Sequence, residues 1–254
     1  MKLGLVFADV PQAEDAAAEL RARRRFVDPA EAEVIVALGG DGFLLGQLHR
    51  MLNTGRRTPI FGMNKGTVGF LLNEYRAEDL EERLAAARPV PLVPLSMEAE
   101  SWTGTIVRSP AFNEVSLLRE TRQVAKIEIA IDGKVRLDEL AADGVLVATP
   151  AGSTAYNLSA NGPILPLGCD LLALTALSPF RPRRWRGALL PASSRIEFRI
   201  LEARKRPVSA VADQLEVRDV ARVTVRSDPA NTLELLFDPD HALDDRILAE
   251  QFIS

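Results

Sequence analysis

The sequence contains few of the residues that form covalent or metal crosslinks. Among 254 residues there is one cysteine, Cys169, and there are two histidines, His49 and His241. One cysteine cannot form an intramolecular disulfide, and these three residues are too few and too far apart for a zinc site. We therefore expect a buried cysteine and two ordinary surface histidines, and we assign no residue as a metal ligand. A cytoplasmic location fits this composition.

Long apolar runs and an excess of positive charge are also absent. The first apolar run, residues 3–7, is too short for the core of a signal peptide, and no run approaches the length of a membrane span. The formal net charge is −4, whereas a general nucleic-acid binder is usually basic. We expect a soluble globular protein that binds neither membranes nor nucleic acids, with small molecules as its partners.

Two widespread nucleotide-binding patterns are missing as well. The chain has neither Gly-x-x-x-x-Gly-Lys-Ser/Thr nor Gly-x-Gly-x-x-Gly, which are the usual P-loop and dinucleotide fingerprints. Any nucleotide site must therefore be built from a different set of residues.

The first third of the chain alternates between two kinds of segment. Short apolar runs predict strands, and alanine- and charge-rich stretches predict helices. The strands are at 3–7, 34–38 and 58–63, and the helices at 12–25, 43–52 and 77–87. This alternation predicts a parallel sheet with crossover helices in an α/β domain over residues 1–95.

The pattern changes after the prolines at 89, 91 and 94. Strand-like segments then follow with few helices between them, at 103–107, 124–131, 144–148, 195–201 and 220–225. They predict a second, mostly β domain over residues 96–230, with the prolines at its boundary. The last segment, 231–254, contains a strand-like stretch at 233–237 and a helix-like stretch at 243–252, and it can return to the first domain.

A glycine cluster follows the second predicted strand. Gly39-Gly40-Asp41-Gly42 stands where the strand gives way to a helix, the place where open α/β sheets bind ligands. Glycines and a helix N-terminus favour phosphates, but an acidic residue repels them. Asp41 therefore either binds Mg²⁺ carried on phosphates or accepts a proton from an attacking hydroxyl. The alternative is a plain turn in which Asp41 caps the helix.

A second glycine-containing loop, residues 62–71, follows the third strand. Together the two loops can enclose a polyphosphate, with Lys65 pairing with it. The alternative is that Lys65 is an ordinary solvated lysine.

Polar residues in the second domain form two further groups. Asn113 and Glu114 place an amide beside a carboxylate, which can bind an adenine edge and ribose hydroxyls. The stretch 143–163 runs from a strand through Thr-Pro-x-Gly into a segment rich in hydroxyls. Ser153 and Thr154 are good N-caps, which predicts a helix start facing a ligand. The alternative for this stretch is a Ser/Thr-rich loop.

These motifs resemble those of the NAD kinase family and occur in the same order. The resemblance is carried by Gly39-Gly40-Asp41-Gly42, the Asn64-x-Gly66-x-x-Gly69-Phe70-Leu71 loop, Asn113-Glu114, Asp143-Gly144, Thr149-Pro150-x-Gly152-Ser153-Thr154-Ala155-Tyr156, Ser178-Pro179-Phe180 and Asp213-Gln214. The Thr-Pro-x-Gly-Ser-Thr-Ala-Tyr segment is highly specific, whereas other kinases share the first glycine cluster. Two departures are Ala141, where relatives often have a basic residue or histidine, and Asn161, where glycine is common.

The resemblance implies a Rossmann-like N-terminal domain and a β-rich C-terminal domain, with NAD in the cleft between them. It implies phosphoryl transfer from ATP, or another triphosphate or polyphosphate, to the 2′-hydroxyl of the adenosine ribose of NAD. Asp41 corresponds to the proton acceptor. The implied NAD site comprises Asp41, Gly42, Asn113, Glu114, Asp143, Ala151, Thr154, Ala155, Tyr156, Asn157, Leu158, Ser159 and Gln214. A divalent cation, commonly Mg²⁺, and a homodimer or homotetramer are also implied.

Three other interpretations remain open. The glycine–aspartate turn also suits a lipid or sugar kinase, although the chain lacks an interfacial apolar helix. A non-catalytic dinucleotide sensor would need Asn113, Glu114 and Thr154 but not Asp41. Finally, the arginine-rich stretch 181–186 is interpreted as an exposed loop, at a subunit contact or reaching a ligand phosphate in a neighbouring subunit. The alternative is a nucleic-acid contact, which the acidic chain does not favour.

Overall fold

The computed structural model describes residues 1–66 and 69–239. Contacts within the chain divide it into two compact units. The first consists of Met1–Leu92 together with the chain from Asn231 on, and the second consists of Val93–Ala230. Each unit has its own sheets and its own hydrophobic core. The helix predicted at 243–252 lies outside the described residues, as does His241.

The first unit begins with alternating strands and helices. Their bounds are β1 Leu3–Phe7, α1 Pro11–Arg23, β2 Val34–Gly39, α2 Asp41–Thr54, β3 Ile60–Asn64, α3 Leu80–Ala86 and β4 Arg88–Leu92. Every residue of β2 is buried, as expected for a central parallel strand covered on both faces. Helix α2 ends at Gly55, whose φ of 71° is a left-handed conformation that glycine adopts without strain.

The second unit is almost entirely β-structure. Its elements are β5 Leu95–Ser101, β6 Ile106–Ala111, β7 Glu114–Arg119, β8 Ala125–Ile131, β9 Lys134–Ala142, β10 Gly144–Ala148, α4 Tyr156–Ser159, β11 Leu171–Leu177, β12 Gly187–Pro191, β13 Ile196–Ile200, β14 Val208–Ala212, β15 Leu215–Val217 and β16 Val220–Ser227. The one described α-helix, α4, is a single turn. Among the helices that the structure describes, none is long and apolar enough to cross a membrane.

The last described strand, β17 Leu233–Phe237, belongs to the sheet of the first unit. The strand order is β1-β2-β3-β17-β4, with β4 antiparallel and the other four strands parallel. The amide of Asn73 donates to the carbonyl of Leu236 in this strand at 2.9 Å. Just beyond it, buried Asp238 accepts from the guanidinium of buried Arg83 at 2.6 Å. Polar contacts therefore hold β17 between β3 and β4.

The second unit is a sandwich of two antiparallel sheets. Their strand orders are β12-β11-β10-β7-β14-β15 and β6-β5-β16-β13-β8-β9. Inward-facing residues of both sheets, such as Val145 and Val147 from β10 and Ile127 and Phe198 from the other sheet, share one core. On its outer face β10 contributes Leu146 to a second, smaller cluster. Because β10 is packed on both faces, its two ends, and so the starting points of the loops that follow them, are held in place.

The predicted fold class is confirmed: an α/β N-terminal part is followed by a mostly β part. The strand predicted at 103–107 is wrong, because β6 begins only at Ile106 and a turn precedes it. Gly104 has a φ of 89°, and the hydroxyl of Ser101 accepts the N–H of Thr105 at 3.1 Å. The local hydrogen bonds and the left-handed glycine favour a hairpin turn there.

The buried ion pair beside β17 gives a stability prediction. Replacing Asp238 by Ala would leave the Arg83 guanidinium buried without its carboxylate, so we expect a loss of about 3 kcal/mol in the free energy of unfolding. The matched control is Glu98→Ala, which breaks the exposed pair with Arg108 and should change stability by less than about 1 kcal/mol. Urea denaturation measures both, and equal effects would contradict the prediction.

Candidate active site

Two glycine-containing turns meet at the carboxyl ends of β2 and β3. Gly40 is the N-cap residue of α2, and the N–H of Lys65 donates to the carbonyl of Gly39 at 2.9 Å. A Cβ added to Gly66 would lie 3.2 Å from the Cα of Gly40, so the two turns approach backbone to backbone. Backbone N–H groups at the start of a helix favour anions, and this edge of the first unit is therefore suited to phosphates.

Asp41 is the first residue of α2, and its carboxylate reaches the loop after β3. One oxygen accepts the N–H of Phe70 at 2.8 Å, and the other accepts the N–H of Leu71 at 3.1 Å. Because Gly40 occupies the N-cap position, the alternative that Asp41 caps the helix is wrong. The two bonds tie Phe70 and Leu71 to Asp41 and set the direction of the carboxylate. The next residue, Gly42, is exposed.

Lys65 is held against an aromatic ring. Its ammonium group lies 3.9 Å from the centroid of the Tyr75 ring, and the Tyr75 hydroxyl donates to Glu19 at 2.7 Å. Burial and the hydrogen bond to Glu19 raise the pKa of Tyr75 far above its usual value. Lys65 is thus half-buried in a cation–π contact and is not an ordinary solvated lysine. Its pairing with a polyphosphate stays a prediction.

Asn113 and Glu114, at the start of β7, each have a buried side-chain acceptor. Within the residues that the structure describes, Oδ1 of Asn113 and Oε2 of Glu114 are buried and have no hydrogen-bond partner. Such atoms are rare in proteins, because an unmade buried hydrogen bond costs on the order of 1–3 kcal/mol. Two of them on neighbouring residues indicate a site for the hydrogen-bond donors of a ligand.

Glu114 also titrates near neutral pH. Burial, followed by the nearby carboxylate of Asp213, raises the pKa of Glu114 from 4.5 to about 7. A ligand hydroxyl that donates to this group would favour its ionised form. Burial, Glu114 and Asp143 all raise the pKa of Tyr156, so the phenol lies within electrostatic reach of both carboxylates.

The backbone of residues 112–114 packs against the end of β10. Thr149 donates twice to it, with its N–H to the carbonyl of Asn113 at 2.9 Å and with its hydroxyl to the carbonyl of Phe112 at 2.6 Å. The N–H of Gly152 in turn donates to the Thr149 hydroxyl at 3.0 Å. A Cβ at Gly152 would lie 2.1 Å from the carbonyl oxygen of Asn113, so only glycine permits this approach.

Buried polar side chains fasten the hydroxyl-rich segment that follows. The hydroxyl of Ser153 donates to the carbonyl of Pro150 at 2.7 Å and accepts the N–H of Leu165 at 2.9 Å. Asn157 is fully buried; its amide nitrogen donates to the carbonyl of Ser153, and its oxygen accepts the hydroxyl of Thr175 at 2.7 Å. The Asn157 side chain thus shapes the segment from inside.

The N-cap predictions for Ser153 and Thr154 are wrong. Both residues belong to a 3-10 turn, Ala151–Thr154, and α4 begins after it with Ala155 at the N-cap. The Thr154 hydroxyl points back to the carbonyl of Ala151 at 3.5 Å. Side-chain bonds to nearby carbonyls compete with capping, and here they tighten the turn.

A left-handed residue ends the same segment. Asn161 has a φ of 58°, a conformation that glycine adopts freely and asparagine tolerates. At Gly162, an added Cβ would lie 2.0 Å from Oδ1 of Asn157. Position 161 therefore needs a residue that tolerates a left-handed conformation, and position 162 needs glycine.

The other predicted site residues of the second unit differ in exposure. Those with exposed side chains are Tyr156, Ser159 and Gln214. Those partly or fully buried are Ala151, Thr154, Ala155 and Leu158. Asp143 forms an ion pair with Arg119 at 2.5 Å, a partner that the sequence motifs did not indicate.

The arginine-rich stretch 181–186 is mostly exposed. The guanidinium groups of Arg181 and Arg183 lie 5.3 and 5.7 Å from the centroid of the Phe180 ring. Backbone hydrogen bonds join Arg181 to Ala141. The stretch is therefore an exposed loop anchored at one end, and its role at a subunit contact stays a prediction.

Each unit thus carries one part of the predicted site. In the second unit, Asn113 and Glu114 adjoin the Thr149–Gly152 turn, and Tyr156 lies within electrostatic reach of Glu114 and Asp143. Asp41 and Gly42 belong to the first unit. That all of these residues bind one molecule stays a prediction. Thr149, Thr175 and Asp213 support the site but were not among the predicted site residues.

The fold and these motifs define a kinase of the Gly-Gly-Asp-Gly type, with an α/β unit and a β-sandwich unit. Two solved structures share the fold over 100% of this chain. One is the yeast NADH kinase complexed with NADH, at a TM-score of 0.85 and 21% identity, with 88% of that chain covered. The other is an NAD kinase from Archaeoglobus fulgidus in complex with ATP, at a TM-score of 0.77 and 23% identity, with 100% of that chain covered.

Sequence comparison gives the family. Residues 112–232 match the family model of the ATP-NAD kinase C-terminal domain. NAD kinases of Rhizorhabdus wittichii and Caulobacter vibrioides are 59% and 56% identical to this chain, over 99% of its length and 98% and 96% of theirs. The chain belongs to the NAD kinase family, which confirms the resemblance found in its motifs.

Glu114 gives a prediction for stability against pH. In the folded state the Glu114 carboxyl group keeps its proton up to about pH 7. In the unfolded chain, with the ordinary pKa of 4.5, it loses the proton at a lower pH. The folded state therefore binds more protons, and the group lowers stability as pH rises between these two values. Glu114→Gln should remove this loss and raise the free energy of unfolding by on the order of 2 kcal/mol at about pH 8, with a much smaller change near pH 5.

Urea denaturation of both proteins at the two pH values measures this effect. The matched control is Glu98→Gln on β5, which replaces an exposed glutamate of the same unit. A gain for Glu114→Gln that is the same at both pH values would show that the buried charge is not its cause.

Proposed function

We propose that the protein transfers a phosphoryl group from ATP, or from another triphosphate or polyphosphate, to the 2′-hydroxyl of the adenosine ribose of NAD, forming NADP. The observation that carries this proposal is the buried, unpartnered acceptor pair of Asn113 and Glu114 in the described part of the chain. Family membership supports the reaction, and the acceptor pair supports a substrate rich in hydroxyl and amine donors.

The NAD site is proposed around this pair. The carboxylate of Glu114 can accept from two ribose hydroxyls, and Oδ1 of Asn113 can accept from an adenine amino group. The exposed ring of Tyr156 offers a flat surface beside them. The remaining members of the proposed site are Asp41, Gly42, Asp143, Ala151, Thr154, Ala155, Asn157, Leu158, Ser159 and Gln214. Asn157 acts in it through the backbone that its side chain holds.

Asp41 is proposed as the catalytic residue. Its carboxylate accepts the proton of the 2′-hydroxyl as the oxygen attacks the terminal phosphorus in line. The bonds from Phe70 and Leu71 keep the carboxylate oriented before the substrate arrives. The N–H groups at the start of α2 offset the negative charge of the transferring group.

A divalent cation, Mg²⁺, is proposed to accompany the phosphoryl donor. Within residues 1–66 and 69–239, no group of three or more His, Cys, Asp or Glu residues is arranged to hold a metal ion. Mg²⁺ is usually bound through substrate phosphates and one or two carboxylates. A cation that arrives with ATP would neutralise part of the charge of its phosphates.

The reaction predicts the behaviour of an Asp41 variant. Wild-type protein incubated with NAD, ATP and Mg²⁺ should form NADP, measured with an NADP-specific dehydrogenase. Asp41→Asn should lower kcat by about 10³-fold, since general-base catalysis contributes on this scale, while the Kd for NAD stays within about threefold.

The matched control is Asp79→Asn, at the exposed N-cap of α3 in the same unit, which should leave kcat unchanged. Thermal unfolding checks that Asp41→Asn is folded, because the NH₂ group that replaces one carboxylate oxygen cannot accept the backbone N–H that it would face. Full activity of a folded Asp41→Asn protein would exclude the base role.

Two other functions are tested in the same assay. A lipid or sugar kinase with this turn would phosphorylate diacylglycerol or a sugar phosphate and leave NAD unchanged. A non-catalytic sensor would bind NAD in a titration but form no ATP-dependent product. The buried acceptors favour a compact polar substrate over a lipid.

The setting of the reaction is also part of the proposal. We place it in the cytoplasm, which suits a chain with one cysteine, and we expect a homodimer or homotetramer. Light scattering coupled to size-exclusion chromatography measures the assembly directly.

A further inference from the structure

Asp213 stands in the turn between β14 and β15 and has a left-handed backbone, with a φ of 50°. Its carboxylate accepts three successive backbone N–H groups. They are those of Phe112 at 2.7 Å, Asn113 at 2.9 Å and Glu114 at 3.3 Å. In return, the N–H of Asp213 donates to the carbonyl of Glu114 at 3.2 Å.

The opposite side of the same backbone is bound as well. Thr149 donates to the carbonyls of Phe112 and Asn113. Both the donors and the acceptors of this short segment are therefore used by residues far away in sequence. Two of its side-chain acceptors, Oδ1 of Asn113 and Oε2 of Glu114, are buried without a partner among the residues that the structure describes.

We propose that Asp213 is a positioning residue for NAD: it holds the backbone of residues 112–114 so that Asn113 and Glu114 present their acceptors to the substrate. This inference rests on the proposed function. It assigns to Asp213 a role that differs from substrate contact, because its carboxylate is directed at three backbone N–H groups.

The charge of Asp213 also affects the ionisation of Glu114. A carboxylate close to Glu114 opposes its ionisation, and together with burial it raises the pKa of that group. Tyr156 on α4 also lies within electrostatic reach of Glu114, but its phenol is neutral at this pH. The ionisation of Glu114 on NAD binding therefore depends on the charge of Asp213.

The test measures KM for NAD and kcat against pH in wild type and Asp213→Asn. The amide replaces one acceptor oxygen with an NH₂ group and removes the charge. We expect KM for NAD to rise about tenfold at pH values where Glu114 is ionised, with kcat changed less than about threefold. The pH midpoint of KM should fall by about one unit, because the like charge beside Glu114 is gone.

The matched control is Asp132→Asn. Asp132 is also a turn aspartate with a left-handed φ, of 52°, and its carboxylate accepts the backbone N–H of Arg195 at 2.8 Å. Because it belongs to the β8–β9 turn, its replacement should leave KM and the pH midpoint unchanged.

A second variant keeps the test decisive if Asp213→Asn does not fold. Asp213→Glu retains the charge but moves it by one methylene, so KM should rise while the pH midpoint stays near that of wild type. The proposal is overturned if a folded variant keeps wild-type KM and midpoint. Failure of the proposed function is a separate outcome, in which wild-type protein forms no NADP.

Discussion

The second unit depends on one backbone segment whose hydrogen bonds are made by distant parts of the chain. Residues 112–114 receive donors from Thr149 and give donors to Asp213. Their side chains, in contrast, keep two buried acceptors without partners among the described residues. A protein tolerates such atoms when something compensates, because each unmade bond costs on the order of 1–3 kcal/mol. The hydrogen-bonded backbone keeps the direction of these acceptors for a ligand.

The two units use backbone and side chains in opposite ways. In the first, the N-terminus of α2 favours anions, and one carboxylate is oriented by backbone donors from Phe70 and Leu71. In the second, buried polar side chains such as Ser153 and Asn157 form hydrogen bonds within the unit. Hydrogen-bond donors bind phosphates, whereas acceptors bind ribose hydroxyls and the adenine amino group. The chemistry offered by each unit therefore matches a different portion of the proposed substrates.

Several elements that were predicted from the sequence have continuous local signals, although strand β11, also a buried apolar run, was not predicted. Strand β2 is a run of buried apolar residues closed by glycine, so its end and the following helix were both recognisable. Strand β9, with mostly exposed and charged residues at its start, gave no such run.

Long-range contacts account for what the sequence did not predict. The motifs identified Asn113 and Glu114, but not Asp213 as their support. That contact joins residues 100 positions apart, and neither secondary-structure propensity nor motif spacing predicts it. The N-cap predictions for Ser153 and Thr154 were wrong for a related reason. Their hydroxyls bond to other carbonyls and N–H groups, and such bonds compete with capping.

The position of β17 has a consequence for how the chain is made. This strand lies between β3 and β4, yet it is synthesised after the whole β-sandwich of residues 93–230. On the ribosome, the nascent α/β sheet therefore has a gap between β3 and β4 until Leu233–Phe237 emerges, and Asn73 and Arg83 lack their partners at Leu236 and Asp238 until then. The sandwich, whose strands are contiguous in the chain, can fold in the meantime. The sheet of the first unit can therefore be completed only after the second unit has been synthesised.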